Sequence, residues 1–558
     1  MLVRWWALVL AAVAAILLAP SLLEGTLISH SSPQNLTWAA QFADLFRAGI
    51  LYPRWLPRSF EGLGSPAFYF YPPIAFWVDA VLSVVTFDAL PVSYRLSLSS
   101  LILLWVSGVT MHAWLKAEGA APRIALYGAL AYVAAPYHLL DHYYRGAYAE
   151  FAAYAVLPVV ALAVRRTADG RRLGPALLAL SYAALPMSHL PTSLLISLTV
   201  LPMYVLYRGW RIGAVKPAAW FMARCALAGA LGLGLASIYL LPALTLQHWI
   251  PSDTFWGGYY AVERWYLLTP WRWFEPIDMM WIISSIAGAY AVAALAVLVA
   301  VSARRSSIWQ SEAAFWAITC LVCLALIAGV IPWFWQLPFV SEVQFPWRLM
   351  IVVEFAGITM LCLMPWPLHS RAASYVLIVA IVALVPGLAQ MIIGIKTRAE
   401  ASLTLVEAPA DLKQFLPAHY PQKPNGGYAE LSLGPVAGVP TIACAPAPRL
   451  CRAIDRPFGE LAVEIDAQEP TIVTLRRFAY PYWRLDPALP LAATEPLQLV
   501  SFTAPVGRHS YRLHHDAVPA ERLGWALAAG SLVLLLAWVF ADRQPHPGRR
   551  REEERSAA

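Results

Sequence analysis

The sequence predicts an all-α polytopic membrane protein, a bundle of about twelve transmembrane helices with an extracytoplasmic β domain near its C-terminus. Three observations predict it. Apolar runs of about 20 residues recur along most of the chain, each long enough to cross a hydrocarbon core roughly 30 Å thick. Charged residues make up only 13% of the chain against 59% hydrophobic, and the mean hydropathy is +0.58. Between 396 and 520 the composition turns polar and Pro-rich, with alternating runs such as ELAVEI, TIVTLRRF, LQLVSFTA and HSYRLHH; that period of two marks strands with one buried face.

Residues 5–23 form the first span, read as an uncleaved anchor, and Arg4 ahead of it sets the N-terminus in the cytoplasm. The polar, aromatic stretch 24–95 is too long for a hairpin connection and reads as a first external loop. Inside it, 66–87 is apolar but broken by prolines, Asp79 and Asp88. If that stretch crossed the membrane, Lys116, Arg123 and every later basic connector would fall outside. If it lies in the interface as a juxtamembrane helix, Arg165/Arg166/Arg171/Arg172, Arg208/Arg211/Lys216, Arg304/Arg305, Arg371 and the Arg-rich tail all fall inside. The positive-inside rule selects the second arrangement. Further spans then lie near 97–115, 124–140, 148–164, 174–190, 191–207, 218–245, 280–303, 312–335, 346–365, 372–395 and 522–541. The expected organisation is a transmembrane module over 1–395, a β-sandwich-like external domain over 396–520, a last helix at 521–541 and a basic cytoplasmic tail at 542–558.

The balance of 40 Lys and Arg against 33 Asp and Glu gives a net charge of +7. The basic residues sit in connectors between apolar runs, as orientation signals do, so nucleic acid is not the partner they indicate. Cys225, Cys320, Cys323 and Cys362 lie inside apolar runs, where a thiol behaves as a small hydrophobe. Cys320 and Cys323 have no second ligand pair nearby and do not read as a zinc site. Cys444 and Cys451 fall in the external region, where a disulfide closing the short loop is expected.

Ionisable groups gather at span ends on the external side, where a boundary charge is a functional hypothesis. The densest set is APYHLLDHYYRGAYAEF, with Asp141, His142, Arg145 and Glu150 within about three helical turns. Asp141 and Arg145 are four apart and share a helical face; a boundary salt bridge is the plainer reading of that pair. The first loop adds Glu24, His30, Asp44, Arg47, Arg54, Arg58 and Glu61, arginines that lipid head groups alone would explain singly. His189 after a Pro-containing span, and Glu342 with Arg348 in SEVQFPWR, also point outward. Arg348 is placed to hold a phosphate or diphosphate through its planar fork. The aromatics of FYFYPP and of the Trp-rich loop 247–279 read as interfacial belts, or as faces for a sugar or lipid tail. NLT at Asn35 matches a glycosylation sequon.

LFRAGILYPRW, GLGSPAFYFYPP, APYHLLDHYYRGAYAE, FPWR, LRRFAYPYWRLD and VGRHSYRL resemble segments of the bacterial membrane proteins called 6-pyruvoyl-tetrahydropterin synthase-related, and more distantly of the YfhO-like proteins. Both groups resemble GT-C glycosyltransferases, which take a sugar from a polyprenyl-phosphate carrier on the outer face and use an acidic residue in the first external loop. The resemblance implies a GT-C-like bundle in the bacterial plasma membrane, with a polyprenyl-phosphate-linked sugar and membrane lipid as partners. Family members show an Asp, then Pro, then His ahead of the amphipathic helix. Here Ser31 stands at the Asp position and Asn35 at the His position.

Transfer of this kind needs a carboxylate to take the acceptor's proton and cations, or a divalent metal, to hold the leaving phosphate. The expected assignment is Asp141, Glu150 or Glu24 as base and Arg145, Arg348, His189, His30 and Arg54 around the phosphate. The loss of the Asp raises a second reading, a non-catalytic lipid-binding or scaffold relative. A transporter is a weaker third, because no paired mid-span charges or matched broken helices are visible.

Overall fold

The computed structural model describes residues 5–252, 258–269, 278–303, 310–364, 371–402, 411–420 and 441–541. Arg304, Arg305, the Trp-rich residues 270–277 and the basic tail 542–558 lie outside the described residues.

Among the described residues eight helices are long and apolar enough to cross a membrane. They are Val92–Ala117, Tyr148–Ala168, Leu190–Ile212, Val215–Thr245, Met279–Ala303, Pro346–Leu363, Ile378–Arg398 and Pro519–Ala541. The other four expected spans are shorter helices: Trp5–Leu17, Pro122–Val133, Gly174–Ser188 and Glu312–Ala328. Proline accounts for one of these differences. Pro136 disfavours helical backbone at Ala135, so the helix starting at Pro122 stops and a five-residue turn of helix, Pro136–Leu140, restarts. Pro202 has no N–H for the carbonyl at Leu198, which fits the break at Thr199 (φ −114°, ψ −91°) within Leu190–Ile212.

Tyr148–Ala168 and Pro346–Leu363 are the most enclosed spans, each 83% buried, while Pro519–Ala541 is 11% buried within the fold. Alanines at 149, 152, 153, 161 and 163 let neighbouring backbones approach the 148–168 helix closely. At one end of the bundle, Arg165 reaches Glu118 at 3.1 Å and Asp169 at 3.0 Å, and Arg208 reaches Glu312 at 2.8 Å. The candidate site and the β domain lie at the other end.

The stretch after the first apolar helix is folded rather than loose. It forms the amphipathic helix Ser32–Arg47, short turns at Ser59–Gly62 and Ala67–Phe70, and the helix Ile74–Val85. At 12 residues, Ile74–Val85 rises only about 18 Å and is too short to cross. Its exposed Val81, Val84 and Val85 form an apolar face suited to the membrane interface. Arg95 ties it to the 92–117 helix through Asp79 at 3.0 Å and Asp88 at 2.9 Å.

The β domain packs two four-stranded antiparallel sheets. One has the order β1 (Ile442–Ala445), β4 (Thr471–Phe478), β7 (Leu499–Ala504), β6 (Ala492–Ala493); the other runs β2 (Leu450–Asp455), β3 (Leu461–Ala467), β8 (Gly507–His515), β5 (Trp483–Asp486). Leu461, Val463 and Ile465 on β3 and Val473 and Leu475 on β4 alternate inward with partly or fully exposed neighbours. A disulfide between Cys444 on β1 and Cys451 on β2 links the two sheets.

First-loop aromatics seat this domain. Trp55 meets Trp483 edge-on at 5.5 Å and Phe60 meets Phe478 at 5.7 Å. Gly64 (φ +89°) permits the fit, since a Cβ there would stand 1.8 Å from the Trp55 ring.

Candidate functional site

The 136–150 segment is built to hold charge under cover. Pro136–Leu140 passes into a π-helical turn, Asp141–Arg145, that ends at Gly146 (φ 61°); such turns recur at functional sites. A Cβ on Gly146 would lie 2.3 Å from Ser29 Oγ, so glycine lets the 29–32 segment of the first loop lie directly on the turn. His30 N–H donates to Tyr144 O and Ser31 N–H to Arg145 O, both at 3.0 Å. Asn35 Nδ2 donates to Gly146 O at 2.6 Å from a fully buried position. The sequon at Asn35 is therefore a structural contact, with its amide turned inward.

The π-turn spacing brings both carboxylates of this segment onto one guanidinium. Arg145 Nη1 pairs with Asp141, with Glu150 Oε2 at 2.8 Å and with the Tyr137 hydroxyl at 2.7 Å. Tyr137 in turn donates to Glu150 Oε1 at 2.7 Å. Asp141 and Glu150 are both fully buried. Burial, and then the Glu150 carboxylate, push the Asp141 carboxyl well above its ordinary range despite Arg145. Beneath them a third carboxylate, Glu354, accepts from Tyr137 N–H at 2.7 Å, His138 N–H at 3.3 Å and the Tyr154 hydroxyl at 2.8 Å.

Arg348 stands beside this cluster, its Nε 3.7 Å from Glu150 Oε2. It donates to Val343 O and, at 3.2 Å, to Gln344 Oε1, and its guanidinium lies 5.2 Å from the Phe345 ring centre. Gln344 adopts φ 69°, ψ −60°, with Phe345 N–H bonded to Val343 O at 2.9 Å. That is the rare, strained γ-turn for a non-glycine residue, and the strain aims the Val343 carbonyl at Arg348.

Arg348 opens on its other side to a cavity of about 210 Å³. Tyr71, His189, Gln247, Glu342 and Gln344 line it with Arg348, and Phe70, Tyr239, Ile250 and Phe415 give it apolar walls. His189 Nδ1 is 2.7 Å from Thr192 Oγ1. Burial pushes the Tyr71 phenol up to about 12, so it remains a donor. Burial also raises the Glu342 carboxyl above its usual value. A few polar groups converging in an apolar pocket is the usual form of a ligand site.

The expected site residues therefore divide. Asp141, Glu150 and Arg145 form a closed ion cluster, with Arg348 against it and His189 across the cavity. The carboxylate that lines the cavity is Glu342, whereas Asp141 and Glu150 are sealed behind Arg145. Glu24 ends the helix Ala19–Glu24 at the surface and is not among the lining residues. His30 is exposed, its Nδ1 3.2 Å from Ser31 Oγ. Arg54 belongs to another assembly: it pairs with Glu521 at 3.3 Å, donates to Ile238 O at 2.6 Å and stacks on Tyr52 at 4.0 Å. Glu354 escaped the sequence reading because it is one acid in the apolar run MIVVEFAGITM; a lone intramembrane carboxylate was the available signal. Among the described residues no group of three or more His, Cys, Asp or Glu is placed to hold a metal ion.

Residues 68–397 match the model of the family described as 6-pyruvoyl-tetrahydropterin synthase related domain; membrane protein. The chain belongs to this family. The family's matched stretch contains Tyr71, Asp141, Arg145, Glu150, His189, Glu342, Arg348 and Glu354, and ends before the strands of the β domain. No curated protein matches the sequence.

Two solved structures are similar over part of the chain. One is the arabinofuranosyltransferase AftD from Mycobacteria, at 17% identity and a TM-score of 0.43, covering 72% of this chain and 27% of AftD. The other is ArnT from Cupriavidus metallidurans bound to undecaprenyl phosphate, at 15% identity and 0.32, covering 64% of this chain and 78% of ArnT. The chain spans about a quarter of the length of AftD.

Proposed function

We propose that this family member is a membrane glycosyltransferase of GT-C type, moving a sugar from a polyprenyl-phosphate donor to an acceptor at the external face of the bacterial plasma membrane. Both termini are cytoplasmic in this reading, by the distribution of basic connectors. The observation that carries it is the Arg348 cavity, an apolar-walled pocket with one guanidinium and one carboxylate at the end of the bundle next to the β domain.

Charge supports the assignment. Arg145 holds both Asp141 and Glu150 closely, while Arg348 lies 3.7 Å from Glu150 with its guanidinium at the cavity wall, where a phosphate would complete it. Gln344 and Val343 hold the Arg348 fork, while Tyr71 and His189 supply further polar contacts to the lipid phosphate as negative charge develops on it. Glu342, partly exposed at the rim, is the group able to take a proton from an acceptor hydroxyl. Asp141, Arg145 and Glu150 act behind the cavity by fixing Arg348.

The test is paired binding and transfer in nanodiscs. Arg348→Ala should weaken binding of a polyprenyl monophosphate about 10- to 100-fold, the worth of a charge-assisted hydrogen bond of roughly 1.5–3 kcal/mol. Glu342→Gln should bind normally and lose transfer. Wild-type transfer by both variants would refute the assignment. Ser31 at the family's Asp position favours a second reading, a lipid-phosphate binder without transfer; wild-type binding that Arg348→Ala abolishes, with no turnover on any acceptor, would select it.

A further inference from the structure

A second cleft, sharing no lining residue with the Arg348 cavity, lies where the first loop meets the β domain. It encloses about 400 Å³, and four arginines, Arg58, Arg456, Arg476 and Arg477, line it against two carboxylates, Glu61 and Asp455. The walls are fixed. Arg477 is buried and rivets the seam, donating to Gly459 O at 2.9 Å, Gly62 O at 3.1 Å and Asp455 at 2.7 Å. Gly459 brings the two backbones together, since a Cβ there would lie 2.8 Å from Pro57 Cβ. Glu61 (φ 55°) and Phe458 (φ 69°) hold left-handed backbone on opposite walls, strain of the kind that surrounding structure must impose.

The charges are not all consumed in building the seam. Arg477 uses Asp455, and Arg58 is turned to Asp44 at 2.6 Å. Arg476 donates to the Glu61 carbonyl at 2.9 Å, but its Nε is buried with no hydrogen-bond partner. Arg456 is exposed and its side chain has no ion pair among the described residues. Two guanidinium groups are thus left facing a cleft with a partly exposed phenyl ring, Phe458, beside them.

We infer that this cleft binds an oxyanion-bearing saccharide, its phosphate or carboxylate held by Arg456 and Arg476 and its ring laid against Phe458. Planar forks match tetrahedral and carboxylate oxyanions, and an aromatic face accepts the apolar side of a sugar. The inference stands whether or not the protein transfers sugars. The same chemistry could come from a soluble acidic glycan or from the head group of an acidic glycolipid.

Glucose 1-phosphate and glucuronate, titrated calorimetrically into the full chain in zwitterionic nanodiscs, serve as probes. Saturable binding of at least one is expected, weakened tenfold or more in Arg456→Gln/Arg476→Gln, weakened severalfold in Arg456→Gln alone, and retained in Arg348→Ala. The Arg456 side chain makes no hydrogen bond or ion pair among the described residues, so the single variant covers the case in which the double variant fails to fold. Loss of the soluble probe's binding in glucuronosyl diacylglycerol nanodiscs would assign the source to a glycolipid; unaltered binding there assigns it to a soluble glycan. No saturable binding to the wild type, or equal binding to the arginine variants, overturns the inference.

Discussion

Replacing Glu354 tests how the cavity is positioned, because this buried carboxylate holds the backbone beneath it. Glu354 lies in the 346–363 span with no exposed surface and accepts from Tyr137 N–H, His138 N–H and the Tyr154 hydroxyl. Tyr137 then carries the effect outward through its hydroxyl, which touches both Glu150 and Arg145 at 2.7 Å. Glu354→Ala leaves three buried donors without an acceptor, at about 1–3 kcal/mol each, and water entering the space left behind recovers part of that. The net expectation is a loss of about 3–6 kcal/mol. Glu354→Gln keeps the volume and one acceptor oxygen and should cost about half as much.

Hydrogen exchange in detergent reads the loss directly. At 3 kcal/mol, the Tyr137 and His138 amides should exchange somewhat more than a hundredfold faster in Glu354→Ala, and polyprenyl-phosphate binding should weaken with them. Wild-type exchange at both amides would show that Glu354 does not hold this turn, and the link from it to Arg348 would fall.

Other outcomes follow from the same geometry. Arg54→Ala breaks a pair whose side chains are 5% and 8% exposed, so it should destabilise the seat of the last helix by about 3–5 kcal/mol, and a double-mutant cycle with Glu521→Gln should show coupling; additive effects would refute the pairing. Asp141 holds its proton more firmly folded than unfolded, so its contribution to stability is full below its ordinary value of 3.8 and is lost as pH rises through the raised value. Asp141→Asn should remove that part of the pH dependence of the melting midpoint and retain polyprenyl-phosphate binding; an unchanged slope would refute the upward shift at Asp141. Cys444→Ser should cost the β domain about 2–3 kcal/mol, the chain-entropy value for so short a loop, with exchange rising in β1 and β2 and not at Tyr137.

Much of the helical bundle was legible because membrane crossing is written locally, in apolar length and in the placement of basic residues. The β strands were legible for the same reason, since ELAVEI and TIVTLRRF alternate within themselves. The Asp141–Arg145 contact could be read from a spacing of four. Glu342 and Glu354 could not be ranked, because whether a carboxylate lines a cavity or caps a distant helix depends on contacts 200 residues apart, as between Tyr154 and Glu354. The γ-turn at Gln344 was equally hidden: no glycine marks it, and only the surrounding packing imposes it.

Arg54 and Arg348 show how individual partners separate two arginines that the sequence groups together. Both stand in aromatic sequence near a proline, and both are buried to a similar degree, 5% and 9% exposed. Arg54 meets Glu521 and a backbone carbonyl, with Tyr52 over its face, so its charge is neutralised within the fold. Arg348 meets a carbonyl and an amide, and the nearest carboxylate, Glu150, is 3.7 Å away and held more closely by Arg145 at 2.8 Å. A buried guanidinium whose close partners are neutral and whose one carboxylate is distant and shared is costly unless a further anion completes it. Under the proposed function, this weaker pairing beside a cavity, rather than the density of charged residues in the sequence, is what sets Arg348 apart from Arg54.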